Sequence, residues 1–481
     1  MPKQLSDLSP VLAAQVDYLL SSGSVPGASI AVVVNDIGYH HAYGVKSVNG
    51  AEPVTANTSF NIGSCSKAFG STMIAALVAD GLADWDDPIS KTVPEFQLYD
   101  EWITKNATLR DLSGNRLGLP RTGFCEFGFD PKISAEYVFE KLKHTQPAAP
   151  FRDRFTYVNP GHTAIGLTAS RTAGKPFIEA LRERILGPLG MDQTSGGAQA
   201  KEDLSDLACW HAKDGDEAIE IDSVYTDQYL PSGGMCVSGR DAIQWLRFHL
   251  NQGLVDGKQI VPAKAIAQTH KPVSLGRPGS DVTSIIYPGA QFAAYCLGWA
   301  TADFEGHHIV QHSGSDMGVN SMTLMFPEKR IGIAVYCNLT PSPAMITAYT
   351  LAAQLLGLPF RDWAAYFDSF APKPDETAVP TKTKPVDNPE LYTGTYHHPA
   401  DGALDVKLTK TGLECDFKLG HKLDCEMRFI GNHTFELHPK YVAWRALARG
   451  KWPKLSFTVE SDKSVSAAFR MMDSDQIFVA S

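Results

Sequence analysis

The chain has no apolar run approaching the roughly 18 consecutive residues that a membrane helix needs, so no membrane partner is expected of its 481 residues. It also lacks a basic surplus. Lys and Arg number 43 against 53 Asp and Glu, a net charge of −10, which argues against nucleic acid as a partner because nothing is left over to pair phosphates. The stretch Met1-Pro2-Lys3-Gln4-Leu5-Ser6-Asp7 lacks the positive region and apolar core of an export signal. Eight cysteines (65, 125, 209, 236, 296, 337, 415 and 425) include no Cys-x-x-Cys pair. Free thiols and a cytoplasmic location are therefore expected. His-Glu-x-x-His and Gly-x-Ser-x-Gly are both missing, which removes a zinc-protease helix and the nucleophile elbow. The adjacent pairs His40-His41, His307-His308 and His397-His398 would point to opposite faces of a strand, so no metal site is expected from them.

What is present is the composition of a globular protein, 43% hydrophobic and 20% charged, long enough for two or three domains. Leucines and valines at helical spacing over residues 6–22 predict a helix stopped by Ser21-Ser22-Gly23. Residues 28–34 and 40–46 predict a hairpin across Asn35-Asp36. Helices are expected over 161–173, 176–185 and 241–251, and strands return at 307–311, 321–326 and 331–338 before a helix over 343–356. Strands at both ends with helices between them predict one antiparallel sheet assembled from the two ends and covered by helices, an α+β arrangement over residues 1–370. Residues 371–389 have no apolar period and are rich in Pro, Lys and Thr, as in an extended linker. Eight short alternating runs then fill 390–481 at about ten-residue spacing, predicting a small antiparallel barrel or sandwich. Its position after the linker suggests packing near an active-site mouth or a role in assembly.

Chemistry concentrates in three stretches. In Asn61-Ile62-Gly63-Ser64-Cys65-Ser66-Lys67, a helix starting near Ser64 stands the Lys67 amine one turn above the Ser64 hydroxyl. The unsatisfied N–H groups of that helix end suit a developing oxyanion, and its partial positive charge pushes the Lys67 pKa towards that of a base. In Phe155-Thr156-Tyr157-Val158-Asn159-Pro160-Gly161, a loop entering a helix presents Tyr157 and Asn159 to one cavity, with Tyr157 able to shuttle a proton. In His312-Ser313-Gly314-Ser315, at a strand end, Gly314 leaves room for substrate along the edge, and the N–H that follows can complete an oxyanion hole. Trp210, His211, Tyr225 and Tyr229 are candidates for an acyl pocket.

Ser64-x-x-Lys67, Tyr157-x-Asn159 and His312-x-Gly314, in that order, resemble the serine β-lactamase-related hydrolases, the group of class C β-lactamases, penicillin-binding proteins, D-aminopeptidases and family VIII esterases. The stretches Thr108 to Ser113, Gly118-Leu119-Pro120, Leu186 to Met191 and Pro231 to Met235 resemble it too, so the likeness runs over about residues 8–358. It implies a β-lactamase/transpeptidase-like α+β fold with a C-terminal lipocalin-like barrel. It also implies a serine hydrolase that cleaves an ester or amide of a small molecule through an acyl-Ser64 intermediate, without cofactor or metal. Ser64 is then the nucleophile, Lys67 and Tyr157 share its proton, and Asn159 holds Lys67 and the substrate. The N–H groups of Ser64 and Ser315 form the oxyanion hole, and a homo-oligomer is compatible with the family.

Two departures bear on substrate. Where the lactamases usually have lysine the chain has His312, largely neutral at pH 7, as in many esterase and aminopeptidase relatives. Many relatives have Ser-His-Arg-Thr-Gly-Leu-Pro where this chain has Gly114-Asn115-Arg116-Leu117-Gly118-Leu119-Pro120. The same residues would serve an acyltransferase that delivers the acyl group to an alcohol or amine, or a sensor that acylates and holds the adduct.

Overall fold

A computed structural model describes residues 2–121, 133–276, 287, 289–369, 385–418, 422–448, 452–460, 465–471 and 474–480. The chain opens with strand β1 (Lys3–Gln4) and helix α1 (Pro10–Ser22). The expected helix over 6–22 is broken, because Pro10 has no N–H to continue the turn Leu5–Leu8. Ser9 instead caps α1, accepting from Leu12 N. Strands β2 (Gly27–Val34) and β3 (Ile37–Gly44) form the expected hairpin, tightened by Asn35 and Asp36 at positive φ. Then come β4 (Ser59–Asn61), helix α2 (Lys67–Ala79), helix α3 (Asn159–Ala173) and β5 (Thr194–Gly196). A second hairpin, β6 (Trp210–Asp214) and β7 (Glu217–Ile221), precedes β8 (Met235–Ser238) and helix α4 (Gly239–Leu250).

The remaining sheet strands are β9 (Ser274–Leu275), β10 (Ala293–Tyr295), β11 (Ala300–Phe304), β12 (His307–Asp316), β13 (Val319–Phe326) and β14 (Ile331–Cys337), followed by helix α5 (Ala344–Leu355). The nine-stranded order is β1-β3-β2-β14-β13-β12-β11-β10-β9. The two ends of the region meet where β2 pairs antiparallel with β14, Ala31 opposite Ala334. The sheet is antiparallel and assembled from the two ends, as expected, with a two-residue edge strand, β1, added parallel to β3.

This sheet is buried on both faces. In β2, Ala31 and Val33 join a core with α2, α3 and α4, whereas Ile30 and Val32 join a second core with α1 and α5. Period-two alternation therefore feeds two apolar layers, and the strand reads as a continuous apolar run rather than an alternating one. Each such buried Val or Ile contributes about 1.5–3 kcal/mol relative to exposure. Helix α2 is buried from Lys67 through Leu77, and Phe69 stacks on Trp245 of α4 at 3.9 Å between ring centres. A helix apolar on every side belongs inside the molecule.

The C-terminal runs form a closed eight-stranded barrel between Gly394 and Ala480 in sequential order, its first strand pairing with its last at Tyr396 and Ala480. Alternate residues such as Leu404 and Val406, or Leu413, Cys415 and Phe417, fill the interior. One element had no counterpart in the strand pattern: helix α6 (Val442–Ala448) between two barrel strands. It packs on β6, and Trp210, Ala212, Met317 and Val319 share an apolar core with the barrel. Arg445 reaches Asp214 at 3.0 Å and Lys422 pairs with Asp222. The expected linker 371–389 lies, up to residue 384, outside the described residues. Among the described residues no helix is long and apolar enough to cross a membrane.

Candidate active site

Ser64 sits on a 3-10 turn, Gly63–Ser66, that runs into α2 at Lys67. The α-helix therefore begins three residues later than its expected start near Ser64. The turn is held on two sides. Towards β8, Gly63 N donates to Asn61 Oδ1 (2.9 Å), Asn61 Nδ2 donates to Gly233 O (3.1 Å), and Ser66 Oγ accepts from Met235 N (3.0 Å). Towards the sheet, Ser321 Oγ donates to Ile62 O (2.6 Å) and Cys65 Sγ to His312 O (3.1 Å). Gly63 has φ +48°, and a Cβ there would stand 2.7 Å from Ser315 N. A Cβ on Gly314 would overlap the Ile62 carbonyl oxygen and Ser321 Oγ. Glycine at both positions lets the backbone of the serine turn lie directly against β12.

Lys67 is fully buried. Its Nζ donates to Ser64 Oγ (3.0 Å) and to the Ser232 carbonyl (2.6 Å), and lies 4.7 Å from the centre of the Tyr157 ring. Tyr157 is 5% exposed, as is Asn159 two residues on. Asn159 is the first residue of α3, with Pro160 next in the first turn, where a missing N–H costs nothing. The backbone around Tyr157 is gripped by Asn115, which is buried and has φ +51°. Its carbonyl accepts from Thr156 N (2.8 Å) and its Oδ1 from Val158 N (2.9 Å). Its Nδ2 faces His162 Nε2 at 3.3 Å. The left-handed backbone there is one asparagine tolerates.

His312 is fully buried, and its ring centre is 6.4 Å from that of Tyr157. Its Nδ1 lies 2.6 Å from Ser313 O, and its Nε2 lies 2.9 Å from Tyr295 Oη. A carbonyl only accepts, so Nδ1 carries the proton and Nε2 accepts from Tyr295. Burial first, and the Lys67 charge second, push the imidazole pKa down to about 3. His162 is held well below its ordinary value by the same two causes. Burial lifts Asp316, at the end of β12, to about 7, although its Oδ1 accepts from Met317 N at 2.7 Å.

The structure thus brings Ser64, Lys67, Tyr157, His312, Gly314 and Ser315 into one cluster, with Asn159 adjoining in sequence. His312 takes part through internal bonds, leaving neither ring nitrogen for a ligand. Asn115, Tyr295 and the Ser232 carbonyl were missing from the sequence-derived set. Asn115 lies in the stretch that departs from the resembling family, which was its only signal; a tyrosine on an ordinary strand and a backbone carbonyl carry none. Trp210 and His211 do not join the cluster. Trp210 is buried against the barrel, and His211 uses Nδ1 on Asn338 O (2.8 Å) and Nε2 on Val48 N (3.2 Å).

The Beta-lactamase family model matches residues 12–357. Unguisins hydrolase ungD' of Aspergillus campestris (strain IBT 28561) is 26% identical over 430 residues, 82% of this chain and 77% of that protein. Protein flp of Staphylococcus aureus (strain MRSA252) is 26% identical over 336 residues, 67% of this chain but only 62% of flp. Among solved structures, the octameric penicillin-binding protein homologue from Pyrococcus abyssi superposes with a TM-score of 0.63 at 21% identity, covering 98% of this chain and 99% of that one. The D-alanine carboxypeptidase AmpC from Burkholderia cenocepacia gives 0.59 at 20% identity, over 74% of this chain and 99% of its own. At those identities the structures speak for the fold alone, and the family match over residues 12–357 speaks for descent: the chain belongs to the Beta-lactamase family of serine hydrolases.

Proposed function

We propose that the protein hydrolyses an ester or amide bond of a small molecule through an acyl-Ser64 intermediate. The observation that carries this reading is the 3.0 Å contact of the buried Lys67 amine with Ser64 Oγ, made where the serine turn abuts Ser315 N. Ser64 Oγ attacks the acyl carbonyl as its proton passes to Lys67 in its neutral amine form, with Tyr157 relaying it to the leaving group. The N–H groups of Ser64 and Ser315 receive the oxyanion, and Asn159 orients Lys67 and the acyl side. Water then takes the place of the leaving group, the same relay accepts its proton, and the ester to Ser64 breaks. His312 and Asn115 act as positioning groups, keeping Tyr157 in place through ring contact and backbone bonds.

Hydrolysis rather than transfer is supported by the relative named as a hydrolase of unguisins. The octameric neighbour supports a homo-oligomer, which light scattering on the purified protein reads directly. We also propose a division into a catalytic part, 1–370, a linker, 371–389, and a barrel part, 390–481, and a cytoplasmic location that cell fractionation tests. The barrel steadies the oxyanion strand: it packs on β6, whose His211 N bonds Gly318 O (3.2 Å) in the turn that follows Ser315.

A panel of activated esters, D-aminoacyl anilides and a chromogenic cephalosporin tests the reading. Turnover that disappears in Ser64→Ala is expected. A Ser64 adduct without turnover would redirect the reading to an acyltransferase, if an added alcohol or amine releases it, or to a sensor, if none does. Turnover that survives in Ser64→Ala would overturn it.

A further inference from the structure

One cation beside the site has no task in this chemistry. Arg121 follows Leu117-Gly118-Leu119-Pro120, and its guanidinium carbon lies 5.0 Å from the centre of the Tyr157 ring, the ring that Lys67 Nζ approaches to 4.7 Å. Its Nε is buried without a hydrogen-bond partner, and no carboxylate among the described residues pairs with it. The neighbouring arginines differ. Arg116 and Arg152 are both consumed by the buried carboxylate of Asp111, each at 2.7 Å. A buried charged donor without an acceptor is costly, and a ligand that brings the acceptor removes that cost.

The other basic group expected to meet substrate is unable to take an anion. His312 is neutral, and both its nitrogens are spent on Ser313 O and Tyr295 Oη. Arg121 has what His312 lacks. Its charge is permanent, its guanidinium carbon lies over the Tyr157 ring, and its fork of N–H donors matches two carboxylate oxygens at once. The side chain as a whole is half-buried, so a ligand can reach it.

We propose that Arg121 is the specificity-determining residue of the site and binds a carboxylate of the substrate, so that the preferred esters or amides carry a carboxylate near the scissile bond. The substrate class rests on the acyl-Ser64 reading, whereas the carboxylate contact itself does not.

Two matched pairs test it by kcat/KM: 4-nitrophenyl hemisuccinate against 4-nitrophenyl butyrate for the acyl side, and 4-acetoxybenzoate against its methyl ester for the leaving side. The wild type is expected to favour the anionic member of at least one pair by about 10- to 100-fold, the range of one charged hydrogen-bonding contact. Arg121→Gln should bring that ratio close to one, and Arg121→Lys should keep part of it. No preference in either pair, or the same preference in Arg121→Gln, would overturn the proposal. A second readout needs no turnover: titration calorimetry of Ser64→Ala with monomethyl succinate and dimethyl succinate. Tighter binding of the monoester, lost in Ser64→Ala/Arg121→Gln, is expected; equal binding of the two would overturn the contact. If that Arg121-dependent binding is found and the wild type turns over no ester, the acyl-enzyme reading fails and the carboxylate contact stands. If turnover runs through Ser64 without a carboxylate preference, the acyl-enzyme reading stands and the carboxylate contact fails.

Discussion

Replacing Gly63 by alanine probes the packing that brings the serine turn against β12. At φ +48°, an L-residue costs about 1–2 kcal/mol more than glycine. The new Cβ would also lie 2.7 Å from Ser315 N, 3.1 Å from Gly314 C and 3.2 Å from Gly314 Cα. All three are backbone atoms of β12, held at these positions by its pairing with β13, so no side chain can swing away, and overpacking of this kind costs about 1–3 kcal/mol. Relief comes only by parting the serine turn from β12, which separates the two N–H groups assigned to the oxyanion. A displacement approaching 1 Å at a reacting centre costs about 100-fold in rate. The expected result for Gly63→Ala is a lower urea midpoint and a fall of about 10- to 100-fold in kcat on an activated ester. Gly50→Ala is the control, since nothing lies within 4 Å of its Cβ. If Gly63→Ala kept kcat within about threefold of the wild type, the oxyanion assignment built on this contact would be wrong.

Other variants probe the same frame. Lys67→Met keeps the buried volume but removes the proton acceptor, so activity should fall by about 100- to 10,000-fold. The Ser232 carbonyl would lose its 2.6 Å donor, and stability should drop by about 1–3 kcal/mol in denaturant titration. Asn115→Ala strands the buried Val158 N–H and places alanine at φ +51°; a loss of about 2–4 kcal/mol and a reduced kcat are expected. The pH dependence of stability has two opposing parts. His40 and His270, held down to about 4 by burial, and His312, held down to about 3, bind protons more readily unfolded. Stability is therefore lost as pH falls from about 6.5 towards those values, by about 1.4 kcal/mol per group per pH unit. Asp316, raised to about 7, binds its proton more readily folded, so its contribution is complete below about pH 4 and is lost as pH rises through about 7. The urea midpoint of the wild type should fall relative to that of Asp316→Asn as pH rises from about 4 to about 7, and a constant difference between the two over that range would refute the assignment.

Much of this architecture was legible in the residues. The apolar run 28–34 announced a strand of the first hairpin, and the alternation from Tyr392 onward announced a small antiparallel barrel or sandwich. Both signals are local and periodic, which is the kind a sequence carries directly. The spacing of Ser64 and Lys67 was enough to predict their contact, even though the turn between them is 3-10 rather than α. The missing pieces depend on tertiary context. Helix α6 was hidden because Val442–Ala448 is short and its stability comes from packing on β6. Asn115 and Tyr295 reach the site through bonds to groups 17 to 47 positions away, and their types alone carry no hint of it. Arg121 stands out only once it is visible that no carboxylate among the described residues pairs with it. The parallel pairing of β1 was missed because a two-residue strand has no period to read.

The central claim is a covalent one, and one measurement reaches it most directly. A saturating activated ester is mixed with the wild-type protein, the reaction is quenched within the first turnover, and the modified residue is located by peptide mapping. The account predicts one acyl group per chain, carried by Ser64 and absent from Ser64→Ala. Turnover without any acylated residue, or an acyl group on a different side chain, would contradict it.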